Sequence, residues 1–291
     1  MKTIEVTSKR GPLGAMAQLL GAARKPSGPV TELPQITYVL PRTSLDSEHL
    51  EKYRAICGFS AQQGVPLIYP QMLTFPLMMQ FMASRYCPWP AMGTVHLANR
   101  IEQREALHAG DELRVELTTG ELYAHDKGQV YTLELRILRD DKPVWLATQG
   151  LLRVGVKAPA GPAWASSLAA DAPLSRQADF EAPSDIGRRY GRVSGDINPI
   201  HLSALSARLL GFRRAIAHGM WTKARALAAL LPGHPVAAAT VAVEFKTPLL
   251  LPATASLWVA RQERDVQFEV RDGEGQKPHL RGQLHIGDPS P

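Results

Sequence analysis

Residues 190–201 read Y-G-R-V-S-G-D-I-N-P-I-H, and residues 211–220 read G-F-R-R-A-I-A-H-G-M. The first segment sets an acid, an amide and an imidazole (Asp196, Asn198 and His201) within six positions, pinned by Gly195 and Pro199. The second carries a turn, His218-Gly219, at the head of a helical pattern. Met220, Ala224, Leu227 and Leu231 recur there at helical spacing, and Pro232-Gly233 end the run. A carboxylate beside an imidazole can pass protons near neutral pH. The start of a helix offers unpaired N–H groups and partial positive charge to an oxyanion. Alternating residues follow: Val266, Phe268 and Val270 face one way, Gln267, Glu269 and Arg271 the other, and the turn is Asp272-Gly273-Glu274-Gly275. One apolar helix followed by antiparallel strands implies that the helix lies on one face of their sheet.

Outward from this segment, residues 36–154 run parallel to residues 176–286. Ile36–Leu40 and Ala178–Ala182 are strand-like starts, and Tyr53–Gly58 echoes Tyr190–Gly195. Ile68–Met72 echoes Ile216–Met220, each opening a helix, and Gly93–Ile101 and Val236–Phe245 are strand-like. Lys142-Pro143 and Lys277-Pro278 sit at the same late turn. The halves differ where chemistry is expected. Phe59 follows Gly58, whereas Asp196 follows Gly195. Tyr53 to Tyr69 is 16 positions, and Tyr190 to Ala217 is 27. The first half thus lacks the segment carrying Asn198, Pro199 and His201. Its helix carries Met72, Met78, Met79 and Met82 instead, read as core that also suits an acyl tunnel. The division is an arm over 1–30, a degenerate first repeat over 31–155, an Ala/Pro/Ser-rich linker over 156–175 and the chemistry-bearing repeat over 176–291.

The run S-G-D-I-N-P-I-H followed by G-F-x3-I-A-H-G-M resembles the MaoC-like dehydratases, the (R)-specific enoyl-CoA hydratase family. The resemblance is strong over 176–286 and faint over 36–154. It implies an α+β double hotdog, two repeats each with a long helix wrapped by an antiparallel sheet, one of them degenerate. It implies reversible hydration of trans-2-enoyl-CoA to 3-hydroxyacyl-CoA. Asp196 and His201 would hold a water between them, one taking a proton while the other delivers one. Which is acid and which is base stays open, because a close Asp–His pair titrates as a unit. The Gly219 N–H would meet the thioester oxygen as negative charge develops there. Asn198 is read as fixing the loop or orienting water, since an amide does not titrate. Pro199 starts a short helix over 200–210 that Gly211 ends.

Ser194 and His218 stand beside this set as candidate substrate-binding residues. Ser194 also reads as purely structural, and His218 as a residue shaping the turn. Lys246, Arg213 and Arg214 are candidates for coenzyme A phosphates. Asp196, His201 and His218 have the ligand types of a metal site, but the resemblance implies no metal, and no cofactor is expected beyond the thioester substrate. Two other readings share the fold: a dehydratase acting on acyl-carrier thioesters, and a thioester-binding protein without turnover.

Composition agrees with a soluble enzyme. Of 291 residues 45% are apolar and 21% charged, and two cysteines, Cys57 and Cys87, are too few for a disulfide framework, which points to the reducing cytoplasm. The net charge of +6 favours an anionic partner. No Lys/Arg block interleaves with aromatics, which argues against nucleic acid. No apolar run reaches membrane-spanning length. Gly11–Ala23, flanked by basic pairs, reads as an arm or short amphipathic helix rather than a secretory leader. A homodimer is compatible with the family.

Overall fold

The computed structural model describes residues 2–6, 25, 28–166, 168 and 173–287. The segment Gly11–Ala23 lies outside the described residues. In chain order the elements are β1 (Lys2–Glu5), β2 (Ile36–Ser44), α1 (Ser47–Cys57), a 3-10 turn (Ala61–Gln63), α2 (Gln71–Ala83) and β3 (Thr94–Gln103). Then come β4 (Glu112–His125), β5 (Gly128–Arg139), β6 (Lys142–Val154), β7 (Ser175–Ala182), α3 (Ile186–Ser194) and α4 (Pro199–Leu202). The chain ends with α5 (Ala204–Leu209), α6 (Gly219–Leu230), β8 (Ala239–Phe245), β9 (Ala253–Gln262), β10 (Asp265–Asp272) and β11 (Pro278–Ile286). The fold is the double hotdog: each repeat runs strand, short helix, long helix, then four strands.

The chain divides into two compact units. One holds Met1–Leu45, Pro70–Ile101 and Gly110–Ser167; the other holds Asp46–Tyr69, Glu102–Ala109 and Leu168–Pro291. The first unit orders its strands β1-β2-β4-β5-β6-β3. β1 pairs parallel with β2 (Lys2 opposite Ile36), and β4, β5 and β6 pair antiparallel in sequence. Helix α2 packs on β2 and β4. A helix laid on a sheet buries one stripe, and here that stripe is Gln71, Thr74, Leu77, Phe81 and Met82. Met72, Met78 and Met79 are only half-buried. The expectation that all four methionines are core therefore holds for Met82 alone, because Met72 and Met79, seven residues apart, share the side away from the stripe.

The second unit orders its strands β8-β11-β10-β9-β7, with α6 packed on β11. Pro232 forces its predecessor out of the helical region, and Leu231 accordingly caps α6 in an extended conformation (φ −73°, ψ 149°). Helix α1, although it comes from the N-terminal half of the chain, belongs to this unit and packs on α3 and α6. The Trp221 indole donates to the Ile56 carbonyl (3.0 Å), and Arg225 donates to that of Cys57 (3.2 Å).

The repeat seen in the sequence is geometric as well. Gly58 caps α1 at φ 80°, and Gly195 caps α3 at φ 78°. Both are left-handed positions that glycine takes without strain. Tyr53 and Tyr190 stand at equivalent points one turn before them, both fully buried, their rings 6.3 Å apart. After Gly58 a single 3-10 turn leads on to α2, whereas after Gly195 the chain adds α4 and α5 before α6. The single helix expected over 200–210 is thus two helices. Ser203 is extended (φ −157°, ψ 160°) and caps α5, its Oγ accepting from the Ser206 N–H at 3.1 Å.

Candidate active site

The polar segment is held by a relay of side-chain acceptors, each taking a backbone N–H two residues on. Ser194 Oγ accepts from Asp196 (3.2 Å), Asp196 Oδ1 from Asn198 (3.1 Å), and Asn198 Oδ1 from Ile200 (3.3 Å). Such local bonds compete well with helix continuation, and they suit the Ser, Asp and Asn present. Asn198 is the N-cap of α4, with Pro199 at the first helical position, where its missing N–H costs nothing. By accepting from Ile200, Asn198 Oδ1 fixes the loop to the start of α4. Ser194 likewise ties the loop to the end of α3.

Helix α3 admits this loop only because it carries glycine at two positions four apart. A Cβ on Gly187 would lie 1.9 Å from the His201 carbonyl oxygen, and one on Gly191 would lie 2.8 Å from that of Asp196. On the far side, the segment before α6 is clamped. Ile216 N–H donates to the Ile200 carbonyl (3.1 Å), Ala217 N–H to Leu249 (2.9 Å), and Leu251 N–H to Ala215 (2.8 Å).

Between these walls sit two imidazoles. His201 Nδ1 is 2.8 Å from the Ile216 carbonyl oxygen. A carbonyl only accepts, so Nδ1 carries the proton and Nε2 keeps a free lone pair. His218 Nε2 is 3.0 Å from the Asp196 carbonyl oxygen. There Nε2 donates, and Nδ1 is a buried acceptor without a hydrogen-bond partner among the described residues. The two rings stack, and the Tyr190 ring lies 5.0 Å from that of His218. Burial lowers the His201 pKa, against the opposing pull of Asp196 and the Ile216 hydrogen bond. Burial, reinforced by the neighbouring His201, drives that of His218 down to about 3. Both rings are therefore neutral at physiological pH.

Asp196 is the most open member of the group, its side chain 36% exposed, with Oδ2 3.7 Å from His218 Nε2. One polar atom each of Asp196, His201 and His218 lies within 4.8 Å of the others. The imidazole planes lie alongside each other, and each ring donates one N–H to a backbone carbonyl, which leaves its second nitrogen as an acceptor.

His218 is also the N-cap of α6, and its side chain does not cap the helix. The first helical bond runs from Thr222 N–H to the His218 carbonyl (3.1 Å). The N–H groups of Gly219, Met220 and Trp221 stay outside the helical ladder. Gly219 is bare for a reason: a Cβ there would lie 2.7 Å from Phe245 Cδ1.

The structure thus gathers Ser194, Asp196, Asn198, His201, His218 and Gly219 into one site. The other three sequence candidates share no hydrogen bond or ion pair with it among the described residues. Lys246 pairs with the buried Glu244 carboxylate. Arg213 and Arg214 are exposed, and Arg214 Nη1 reaches only the Pro252 carbonyl at 3.5 Å. Sequence reasoning missed Gly187 and Gly191 as wall residues. Their signal was a Gly-x-x-x-Gly spacing within a helix, the mark of a close backbone approach.

Residues 168–283 match the family model of the MaoC-like domain. Over 254 residues the chain is 32% identical to 3-hydroxyacyl-thioester dehydratase X of Mycobacterium tuberculosis, covering 86% of this chain and 89% of that protein. The crystal structure of HtdX from the same organism superposes with a TM-score of 0.73 at 30% identity, over 86% of this chain and 100% of that one. A MaoC-like dehydratase of Phytophthora capsici gives a TM-score of 0.72 at 19% identity, over 88% and 97% of the two chains, a likeness of fold alone. The chain belongs to the MaoC-like dehydratases. It is a hydro-lyase built on two hotdog repeats.

Proposed function

We propose that this enzyme interconverts trans-2-enoyl and 3-hydroxyacyl thioesters, with coenzyme A as carrier and the (R) configuration that its family resemblance implies. The observation that carries the reading is the Nδ1–H bond from His201 to the Ile216 carbonyl, which leaves Nε2 unprotonated beside Asp196. Asp196 and His201 form no direct ion pair among the described residues, yet one polar atom of each lies within 4.8 Å of the other. A single water molecule bridges such a span.

In dehydration the Asp196–His201 pair removes the C2 proton. The electron pair moves toward the thioester carbonyl, and its oxygen is met by the Gly219 N–H and the positive end of α6. The C3–oxygen bond then breaks, and the pair returns the proton to the departing hydroxyl, which leaves as water. Hydration is the reverse, and the pair ends each cycle in the protonation state in which it began. The burial of His201 and His218 suits this chemistry, because an oxyanion is best stabilised where few water dipoles compete.

The N-terminal repeat is read as non-catalytic. Phe59, at the position matching Asp196, is buried and stacked on Tyr53 at 6.4 Å. A cytoplasmic setting forms part of the proposal, supported by two buried free cysteines. No helix among the described residues is long and apolar enough to cross a membrane.

Loss of enoyl absorbance on crotonyl-CoA, with the product's chirality determined, tests the reaction. Asp196→Asn keeps the acceptor for the Asn198 N–H and removes the charge, so a rate loss of about 10²–10⁴-fold with an unchanged fold is expected. Unchanged hydration in that variant sinks the dyad. Release of free thiol instead of hydration would indicate a thioesterase.

A further inference from the structure

Helix α1 touches the end of α3 through one imidazole. Asp46 caps α1, its Oδ1 accepting from the His49 N–H (2.7 Å), which fixes His49 in the first turn. From there His49 Nε2 meets the Val193 carbonyl oxygen at 2.8 Å, and Nδ1 meets the Tyr69 hydroxyl at 2.8 Å. A carbonyl only accepts, so Nε2 carries a proton. In the neutral ring Nδ1 then accepts from Tyr69, a phenol whose pKa burial, helped by Asp46, pushes up to about 12.

Val193 is the penultimate residue of α3. The last carbonyls of a helix have no intrahelical donor, and the residues that follow spend their N–H groups elsewhere, Gly195 on the Gly191 carbonyl and Asp196 on Ser194 Oγ. His49 thus closes the final turn from outside, one residue before the serine that holds Asp196. The matching place in the first repeat is Ile56, two residues before Gly58 as Val193 is two before Gly195. Its carbonyl takes the Trp221 indole N–H at 3.0 Å. In each repeat the equivalent carbonyl is therefore served by a ring N–H from the other half of the chain. Helix α1 does not depend on His49 for its place: Trp221, Arg225 and Gln63 bind it and its following turn to α6. Without the imidazole those bonds remain, and the end of α3 alone is released.

We propose that His49 is a positioning residue for the reaction, fixing the end of α3 so that Ser194 presents Asp196 in register with His201. It touches no reacting atom. A misplacement of about 1 Å in a proton-transferring group can lose about 10²-fold in rate. The inference rests on the hydratase reading and assigns a role to a residue of the repeat read as non-catalytic.

The test separates the two nitrogens of the ring. His49→Gln sets an amide N–H where Nε2 stands. His49→Asn sets its amide where Nδ1 stands and leaves the Val193 carbonyl unserved. Crotonyl-CoA hydration, thermal melting and amide hydrogen exchange over residues 190–201 are measured for each. His49→Asn should lose about tenfold or more in kcat with KM within about twofold of wild type, and its 190–201 amides should exchange about tenfold faster or more. His49→Gln should stay within about threefold of wild type in both. The inference is overturned if His49→Asn keeps its kcat, if His49→Gln loses as much, or if the loss merely matches the fraction unfolded. A wild type that hydrates no enoyl thioester defeats the proposed reaction instead, and exchange then decides: faster in His49→Asn but not in His49→Gln keeps His49 as the anchor of the loop, and equal exchange removes it.

Discussion

His201 and His218 lie face to face, their ring centroids 3.6 Å apart and their planes 24° from parallel. Two imidazolium ions cannot share that distance in a buried site, so at most one ring carries a proton charge at a time. The hydrogen bonds set the two rings apart. His218 is wedged between the Asp196 carbonyl and the Tyr190 ring, whereas His201 keeps Nε2 open.

Stability should fall with acid because of His218. Its folded pKa, about 3, is below the unfolded value near 6.5. Between those values the unfolded chain holds a proton that the folded one refuses, so stability is full above about pH 6.5 and declines below it, by up to about 1.4 kcal/mol per pH unit. His218→Gln retains an N–H donor for the Asp196 carbonyl and removes the titration. Denaturant midpoints at about pH 7.5 and about pH 5 should converge in that variant relative to wild type.

Catalysis should show a different acid limb. In the proposed reaction His201 acts from its neutral form, and burial lowers its pKa. kcat/KM for hydration is therefore level through neutrality and drops only below about pH 6.5, the ordinary histidine value. His201→Gln should lose about 10²–10⁴-fold in rate, and that limb with it. A limb that persists in the variant would assign the titration to another group.

The walls of the site admit no side chain on α3. Gly191→Ala sets a methyl 2.8 Å from the Asp196 carbonyl, and Gly187→Ala sets one 1.9 Å from that of His201. Both should lower stability by about 1–3 kcal/mol, more for Gly187. Because the displaced atoms belong to the two residues proposed to handle the proton, kcat should fall further than global unfolding explains. Kinetics and thermal melts on the same samples check this.

Gly219→Ala tests the helix end. The added methyl would lie 2.7 Å from Phe245. The ring has to move or α6 has to shift, at a cost of about 1–3 kcal/mol. If the Gly219 N–H serves the thioester oxygen, the rate loss persists in Gly219→Ala/Phe245→Leu even after stability recovers.

Much of this arrangement was legible along the chain. The repeat declared itself through Tyr53–Gly58 and Tyr190–Gly195, because a helix that ends in a left-handed cap needs glycine at one position. The turn at Pro199 and the start of α6 at His218-Gly219 were visible for similar local reasons. The methionines of α2 misled, since residue type says that a side chain tolerates burial but not which side of a helix meets the sheet. Ser203 misled as well: its cap on α5 breaks a stretch that spacing alone presents as one helix.

Residue order therefore sufficed to define two repeats and to place an acid and an imidazole near a helix start, because these features are written in spacings of a few residues; the hotdog fold followed from the family resemblance. Protonation was out of its reach. The tautomer of His201 depends on a carbonyl fifteen residues away, brought there by the backbone bonds of Ala215 and Ala217 and by the bare face of α3. The neutrality of His218 depends on burial under Tyr190 and His201. Both are properties of neighbours that meet only once the chain has packed, and desolvation and hydrogen-bond partners, not residue type, set where a proton resides.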